Sequence, residues 1–246
     1  KVAIIAINRP EDNNRVNSDA CDELVAAFRS ADKDAAVHAV VLTGRNGTFC
    51  EGGRIDGYPG GTVMTKKRFA NAYLGVQRAI WDAAKPVIAA VNGKALAGGF
   101  ALVECCDLAI AGEGSSFGLP ELRRGNFPML ALANMQKGLP KKKLFEIVYR
   151  GSILDAATAK EWDLVNLVVP DGRVLDTAVE WAADIAEQSL VAASFGREAY
   201  YKMINMDYIG SLEYAKNALI ALTSTEDSQE VDRALREGRK PEFKGY

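Results

Sequence analysis

Apolar residues along this chain switch between two spacings, and each switch marks the edge of an element. Val2 to Ile7 is a short apolar run of strand type. Ser18 to Ala31 puts Leu24, Val25 and Phe28 on one helical face, and Val40 to Thr43 returns to a strand. Seven glycines between Gly44 and Gly61 make the next stretch an irregular loop. A helical period resumes from Tyr73 to Trp81 until Lys85-Pro86 stops it, and Val87 to Val91 reads as a buried strand. Gly98-Gly99 is expected to open a short apolar helix, Phe100 to Cys106, which leads into a strand at Leu108 to Ala111 and a turn at Gly112 to Ser116. Beyond Pro140 the pattern is mostly helical, at Pro140 to Tyr149, Ala156 to Trp162, Val174 to Gln188 and on to Glu237, with one strand at Val165 to Val169. The order predicts an α/β core with a helical C-terminal part.

Composition narrows the partners. With 246 residues, 48% of them hydrophobic, the chain suits one sizeable domain or a domain with a helical appendage. Basic and acidic residues balance at 30 and 32, and no single-sign run exceeds Lys141-Lys142-Lys143, which argues against a nucleic-acid or membrane-surface partner. Cys21, Cys50, Cys105 and Cys106 are too few for a disulfide framework, and the adjacent pair lacks zinc-ligand spacing, so they read as reduced intracellular thiols. No apolar stretch is of membrane-spanning length. The first residue, Lys1, already lies in a strand-like run, and an initiating methionine with a short lead-in is expected before it.

Candidate chemistry concentrates in two glycine-bearing loops, Phe49-Cys50-Glu51-Gly52-Gly53-Arg54 and Asn92-Gly93-Lys94-Ala95-Leu96-Ala97-Gly98-Gly99-Phe100. Each follows an apolar strand-like run and is placed to aim a backbone N–H into a shared space, as an oxyanion hole for a thioester carbonyl requires. Ordinary tight turns are the competing explanation for either loop taken alone. Gly114-Ser115-Ser116-Phe117-Gly118 has the G-x-S-x-G form of a nucleophile elbow, but that architecture needs a downstream histidine. The only histidine, His38, is upstream and reads as structural or surface, so a serine-hydrolase triad is excluded. Neither glycine cluster spells a dinucleotide or P-loop fingerprint.

The loops and their surroundings together resemble the enoyl-CoA hydratase/isomerase, or crotonase, family. Asn8-Arg9-Pro10-Glu11 with Asn14 and Asn17 is similar to the family's opening motif. Val40-Val41-Leu42-Thr43-Gly44 leading to Phe49-Cys50-Glu51-Gly52-Gly53 resembles its next segment. Lys85-Pro86-Val87-Ile88-Ala89-Ala90-Val91-Asn92-Gly93, through Gly98-Gly99 to Cys106-Asp107-Leu108-Ala109-Ile110, resembles its most diagnostic stretch. Phe117-Gly118-Leu119-Pro120-Glu121 follows, and the likeness continues through Leu164-Val165-Asn166 to Arg239-Lys240-Pro241-Glu242-Phe243, essentially the whole chain.

The resemblance implies a crotonase-like spiral of ββα units over residues 1–190 and a helical trimerisation region over 191–246, assembled as a homotrimer or dimer of trimers. An acyl-CoA thioester is the implied substrate, with no metal or separate cofactor, in the cytoplasm or an organelle matrix. It puts the oxyanion donors on the amides of Gly53 and Gly98. Coenzyme A is expected to be held mainly by backbone around Asn14, Arg15, Val16 and Asn17 and the glycine-rich loop after Gly53, with Gly52, Arg54 and Ile55 also at the substrate and Arg239 and Lys240 as weaker phosphate contacts. A typical hydratase has two glutamates; here one position is Ala101 and the other is Glu121. Glu104, one helical turn beyond Ala101, is a secondary acid/base candidate because positions i and i+3 share a face. Phe127 and Met129 are expected to reshape the acyl pocket, and Arg54 either meets a substrate carboxylate or forms a surface ion pair. One carboxylate favours shifting a double bond; hydration is the alternative, then decarboxylation or carbon–carbon cleavage, then a non-catalytic CoA-binding role.

Overall fold

A computed structural model describes residues 1–55 and 60–245. The strands are β1 (Val2–Ile7), β2 (Ala39–Gly44), β3 (Val87–Val91), β4 (Lys94–Leu96), β5 (Leu108–Gly112), β6 (Ser116–Gly118), β7 (Ile153–Asp155) and β8 (Leu167–Val169). The helices are α1 (Ser18–Lys33), α2 (Val63–Trp81), α3 (Gly98–Cys105), α4 (Met129–Gly138), α5 (Lys141–Arg150), α6 (Ala156–Glu161), α7 (Val174–Ala186), α8 (Leu190–Met203), α9 (Tyr208–Thr223) and α10 (Glu226–Glu237). Among the described residues no helix is long and apolar enough to cross a membrane.

A parallel sheet in the order β1-β2-β3-β5-β8 carries the core. Parallel strands are stable when both faces are covered, and alternation along β2 and β3 does this: Val40, Leu42, Ala89 and Val91 face the main core with α1 and α2. Ala39, Val41, Ile88 and Ala90 face Val174, Ala178 and Ala182 of α7. The small alanines one turn apart let α7 lie close on the sheet. Asn17 caps α1 by accepting from the Ala20 N–H at 3.0 Å, and Thr62 caps α2 through the Thr65 N–H at 3.2 Å.

A second sheet stands beside the first. β4 pairs parallel with β6, and β6 antiparallel with β7; single bridges, Cys50 with Ala95 and Val16 with Gly53, extend the same rung toward the N-terminus. The chain therefore returns repeatedly to one stack of short extended segments, the spiral expected from the sequence. Helices α8 to α10 lie outside this stack, and α9 buries none of its residues. One buried knot fastens α8 inward. Arg197 donates to the carbonyls of Ile80 at 2.6 Å, Trp81 at 2.8 Å and Ala83, capping the C-terminal end of α2, and pairs with Asp107 at 2.9 Å. Asp107 also accepts from the Val87 N–H and the Tyr201 hydroxyl, each at 2.7 Å.

Two motifs find structural explanations. Ser116 of the G-x-S-x-G segment opens strand β6 instead of a nucleophile elbow, and the neighbouring Ser115 hydroxyl donates to the Val91 carbonyl at 2.7 Å. His38 sets its ring Nδ1 3.1 Å from the Ala186 carbonyl, joining the start of β2 to the end of α7.

Candidate active site

The two glycine loops are stitched together by backbone hydrogen bonds. Cys50 N–H donates to Lys94 C=O and Leu96 N–H to Cys50 C=O, both at 2.9 Å; Val16 N–H donates to Gly52 C=O at 3.0 Å, and Arg54 N–H to Val16 C=O at 2.8 Å. The approach is close enough to require glycine at two positions. A Cβ on Gly99 would lie 1.9 Å from the Cys50 carbonyl oxygen. One on Gly52, whose φ is +103°, would lie 2.8 Å from the Ala97 Cβ and 3.2 Å from the Gly98 nitrogen. Among the described residues, neither the Gly53 nor the Gly98 amide donates a hydrogen bond to the protein. Gly98 is the first residue of α3, where N–H groups have no intrahelical partner and the helix dipole favours negative charge.

Both glycines and Glu121 line one cavity of about 830 Å³. Glu121 is held by a 3₁₀ turn, Pro120–Arg124, that begins with proline and closes on the left-handed Gly125. Its Oε2 is fully enclosed with no hydrogen-bond partner among the described residues. Burial raises the Glu121 pKa, opposed in part by its own backbone N–H and by the Arg124 charge. A carboxyl whose pKa is raised in this way is a better proton acceptor than an exposed one. Cys50, beside Gly52, is not a competing nucleophile: burial pushes its thiol up to about 12.

Of the residues expected to contact substrate, Arg15, Arg54, Ile55, Phe127 and Met129 line this cavity. Arg54 is held by Asp12 at 2.7 Å, and that hydrogen bond is the main reason its pKa rises; Arg15 pairs with Glu51 at 3.4 Å. The surface ion pair is thus the outcome for Arg54. The loop after Gly53 runs into 56–59, outside the described residues.

Other expectations are corrected. The Asn14 side chain is fully buried, accepting from Arg9 N–H at 2.8 Å and donating to the carbonyls of Arg45 and Thr48 at 2.9 and 2.6 Å, so it braces the loops and leaves only backbone at this position for a ligand. Val16 is buried as the bridge partner of Gly53, Asn17 is spent on the α1 cap, and Gly52 lies beneath the cavity wall, not on it. Arg239 is tied to Glu230 at 2.5 Å and Glu237 at 2.6 Å, and neither it nor Lys240 lines the cavity.

Glu104 is also displaced from its expected role. It lines a separate cavity of about 400 Å³ with Trp81, Asn134 and Tyr201, and Ala101 is fully enclosed. Three residues advance a helix by about 300°, not a full turn. The remaining offset of about 60° is enough to bring Glu104 to the other cavity. Burial pushes its carboxyl up to about 8.

The pattern of apolar residues did not single out Phe69 and Tyr73. Both are buried, line the cavity and stand one turn apart on α2. The Tyr73 hydroxyl donates to the Gly98 carbonyl at 2.5 Å, and burial raises its pKa well above the ordinary tyrosine value, keeping it a neutral phenol. Their i, i+4 spacing ahead of the second glycine loop is the signal that was available.

Two amides without a protein acceptor and one buried carboxyl line the same large cleft, an arrangement suited to thioester chemistry. The sequence matches the enoyl-CoA hydratase/isomerase family over residues 1–246. The chain belongs to that family and is an enzyme acting on acyl-CoA thioesters. Among its relatives, a probable enoyl-CoA hydratase of Rhizobium meliloti is 35% identical, with 99% of this chain and 95% of that protein covered. The mevalonyl-coenzyme A hydratase of Aspergillus fumigatus is 31% identical over 99% of this chain and 91% of that protein. Among solved structures, an enoyl-CoA hydratase from Bacillus anthracis superposes with a TM-score of 0.94 at 29% identity, covering 100% of this chain and 96% of that one.

Proposed function

We propose that this enzyme shifts the double bond of an enoyl-CoA thioester, with Glu121 as its single proton carrier. The observation behind this reading is the enclosed, unpartnered Oε2 of Glu121 in a cavity whose other carboxylates, Asp12 and Glu51, are engaged by arginines. Glu121 removes a proton next to the carbonyl or vinylogous to it, the amides of Gly53 and Gly98 hold the enolate oxygen, and the same carboxyl returns the proton at another carbon. Each such amide is worth a factor of about 10²–10³ in rate. No metal or nicotinamide takes part in this scheme. Coenzyme A enters along Arg15, Arg54 and Ile55, and the acyl group meets Phe127 and Met129.

Hydration is the second reading, favoured by the hydratase names of the relatives. It needs water held by both a base and an acid, and Ala101 with the turned-away Glu104 supplies no second carboxylate. Assay of trans-2-, cis-3- and trans-3-enoyl-CoA thioesters of several chain lengths separates the two. Isomerisation of the 3-enoyl compounds faster than hydration of the matched 2-enoyl compounds is expected; the reverse order across all chain lengths would establish the hydratase. We also propose that the C-terminal helices meet a second copy of the chain, because Tyr208, Ile209, Leu219 and Ile220 of α9 stand exposed.

A further inference from the structure

Helix α2 touches both oxyanion glycines. A Cβ on Gly53 would lie 2.3 Å from the tip of the Phe69 ring, and one on Gly98 would lie 3.0 Å from the Tyr73 hydroxyl oxygen and 3.1 Å from its ring. The two rings stack with centroids 6.0 Å apart, which matches the rise of about 6 Å over four helical residues. Each aromatic side chain therefore rests on one glycine, and a single rigid helix spans the interval between them. The far end of α2 is fixed by the Arg197 cap, so the helix cannot slide without breaking those bonds.

We infer that α2 sets the separation of the two oxyanion amides, with Phe69 and Tyr73 as positioning residues; this rests on the reading of Gly53 and Gly98 as the carbonyl holders. The hydroxyl of Tyr73 has a distinct part. By donating to the Gly98 carbonyl it holds the peptide plane that follows Gly98, one bond beyond the Cα next to the unpaired Gly98 N–H. A phenylalanine would fill the same space and leave that peptide plane held by the first turn of α3 alone. Glycine is the residue with the widest backbone freedom, so an external restraint matters most there. Phe69 acts on Gly53 by contact, in addition to the Val16 N–H bond to the Gly52 carbonyl that holds the same peptide plane.

The test uses 2,4-hexadienoyl-CoA, whose absorption moves to longer wavelength when hydrogen bonds polarise its carbonyl, together with steady-state kinetics on the best enoyl-CoA substrate. Wild type is compared with Tyr73→Phe and Phe69→Leu. Tyr73→Phe is expected to shrink the red shift of the bound probe and to lower kcat by about 3–10-fold, the scale of one hydrogen bond, with KM within about twofold. Phe69→Leu, which loosens the Gly53 side without removing a polar group, is expected to shrink the shift as well; it carries the test alone if Tyr73→Phe does not fold. A full red shift in the variants, with kcat unchanged or lowered only alongside the melting temperature, overturns the inference. Absence of any shift in the wild type overturns instead the assignment of Gly53 and Gly98 on which the inference rests.

Discussion

Replacing Glu104 by glutamine should make the protein more resistant to alkali without touching the reaction centre. Its carboxyl is pushed from 4.5 up to about 8 by burial alone, so folding disfavours the charged form. At about 1.4 kcal/mol per decade, the ceiling on this penalty is about 5 kcal/mol; relaxation and water entering the neighbouring cavity bring the expected effect to about 2–3 kcal/mol. Below pH 4.5 the group is neutral in both states, and its contribution is fully present. As pH rises, the unfolded chain ionises first and stability is lost until the folded group ionises near pH 8, where the loss levels off. Urea midpoints of wild type and Glu104→Gln, measured from pH 5 to 9, should therefore diverge in the variant's favour as pH increases. Parallel curves across that range would refute the reasoning, since glutamine occupies about the same space and whatever its amide changes in hydrogen bonding does not vary with pH.

Glu121→Gln should lower kcat by about 10²–10⁴ at unchanged melting temperature. In the wild type kcat/KM should rise with pH through a value above the ordinary carboxylate range, because burial raises the Glu121 pKa; full activity in the variant would remove Glu121 from its role. Arg197→Met leaves Asp107 and three carbonyls without their donor and should cost about 3–5 kcal/mol in denaturant unfolding, whereas a surface substitution such as Lys216→Met should be near neutral. Sedimentation at micromolar concentration should show self-association that Ile209→Lys with Ile220→Lys weakens; a monomeric wild type would contradict the proposed role of α9.

Elements that bury a regular face could be read from the chain, and those that do not could not. Val87–Val91 emerged with its observed limits because five apolar residues are flanked by proline and asparagine. Helix α2 was read only from Tyr73, since its first ten residues carry Lys66, Lys67 and Arg68 and expose Val63 and Met64, which hides the period. Apolar residues all round Leu130 to Ala133 hid α4 in the same way. Strands β4, β6 and β7, three residues each, are stabilised by the stack they join, and no local pattern declares them.

Glu121, Gly53 and Gly98, expected together because motifs fix them in order along the chain, line one cavity. Side chains that the fold engages elsewhere could not be told apart for geometric reasons. Asn14 and Asn17 have the polar side chains a ligand contact would use, but their hydrogen bonds are satisfied inside the loops and the helix cap. Glu104 shows that a helical neighbour some 60° off-axis can face a different compartment. Phe69 and Tyr73 look like ordinary core aromatics until the fold brings the glycines beneath them.

Ala97 is the residue just before Gly98, and its backbone, at φ +52° and ψ −125°, is one that glycine adopts readily and alanine does not. Holding it there costs about 1–3 kcal/mol, sustained by the Ala97 N–H bond to Gly118 and by the clasp between Leu96 and Cys50. That loop behaves as a cocked spring beside the reaction centre. When heat loosens the clasp, this turn relaxes before the surrounding sheet melts, so catalytic competence is expected to vanish several degrees below the temperature at which the fold is lost. Substituting glycine at 97 would unload the spring and raise thermal resistance, and the Gly98 amide would then rely on the backbone bonds to Gly118 and Cys50 alone to stay in place.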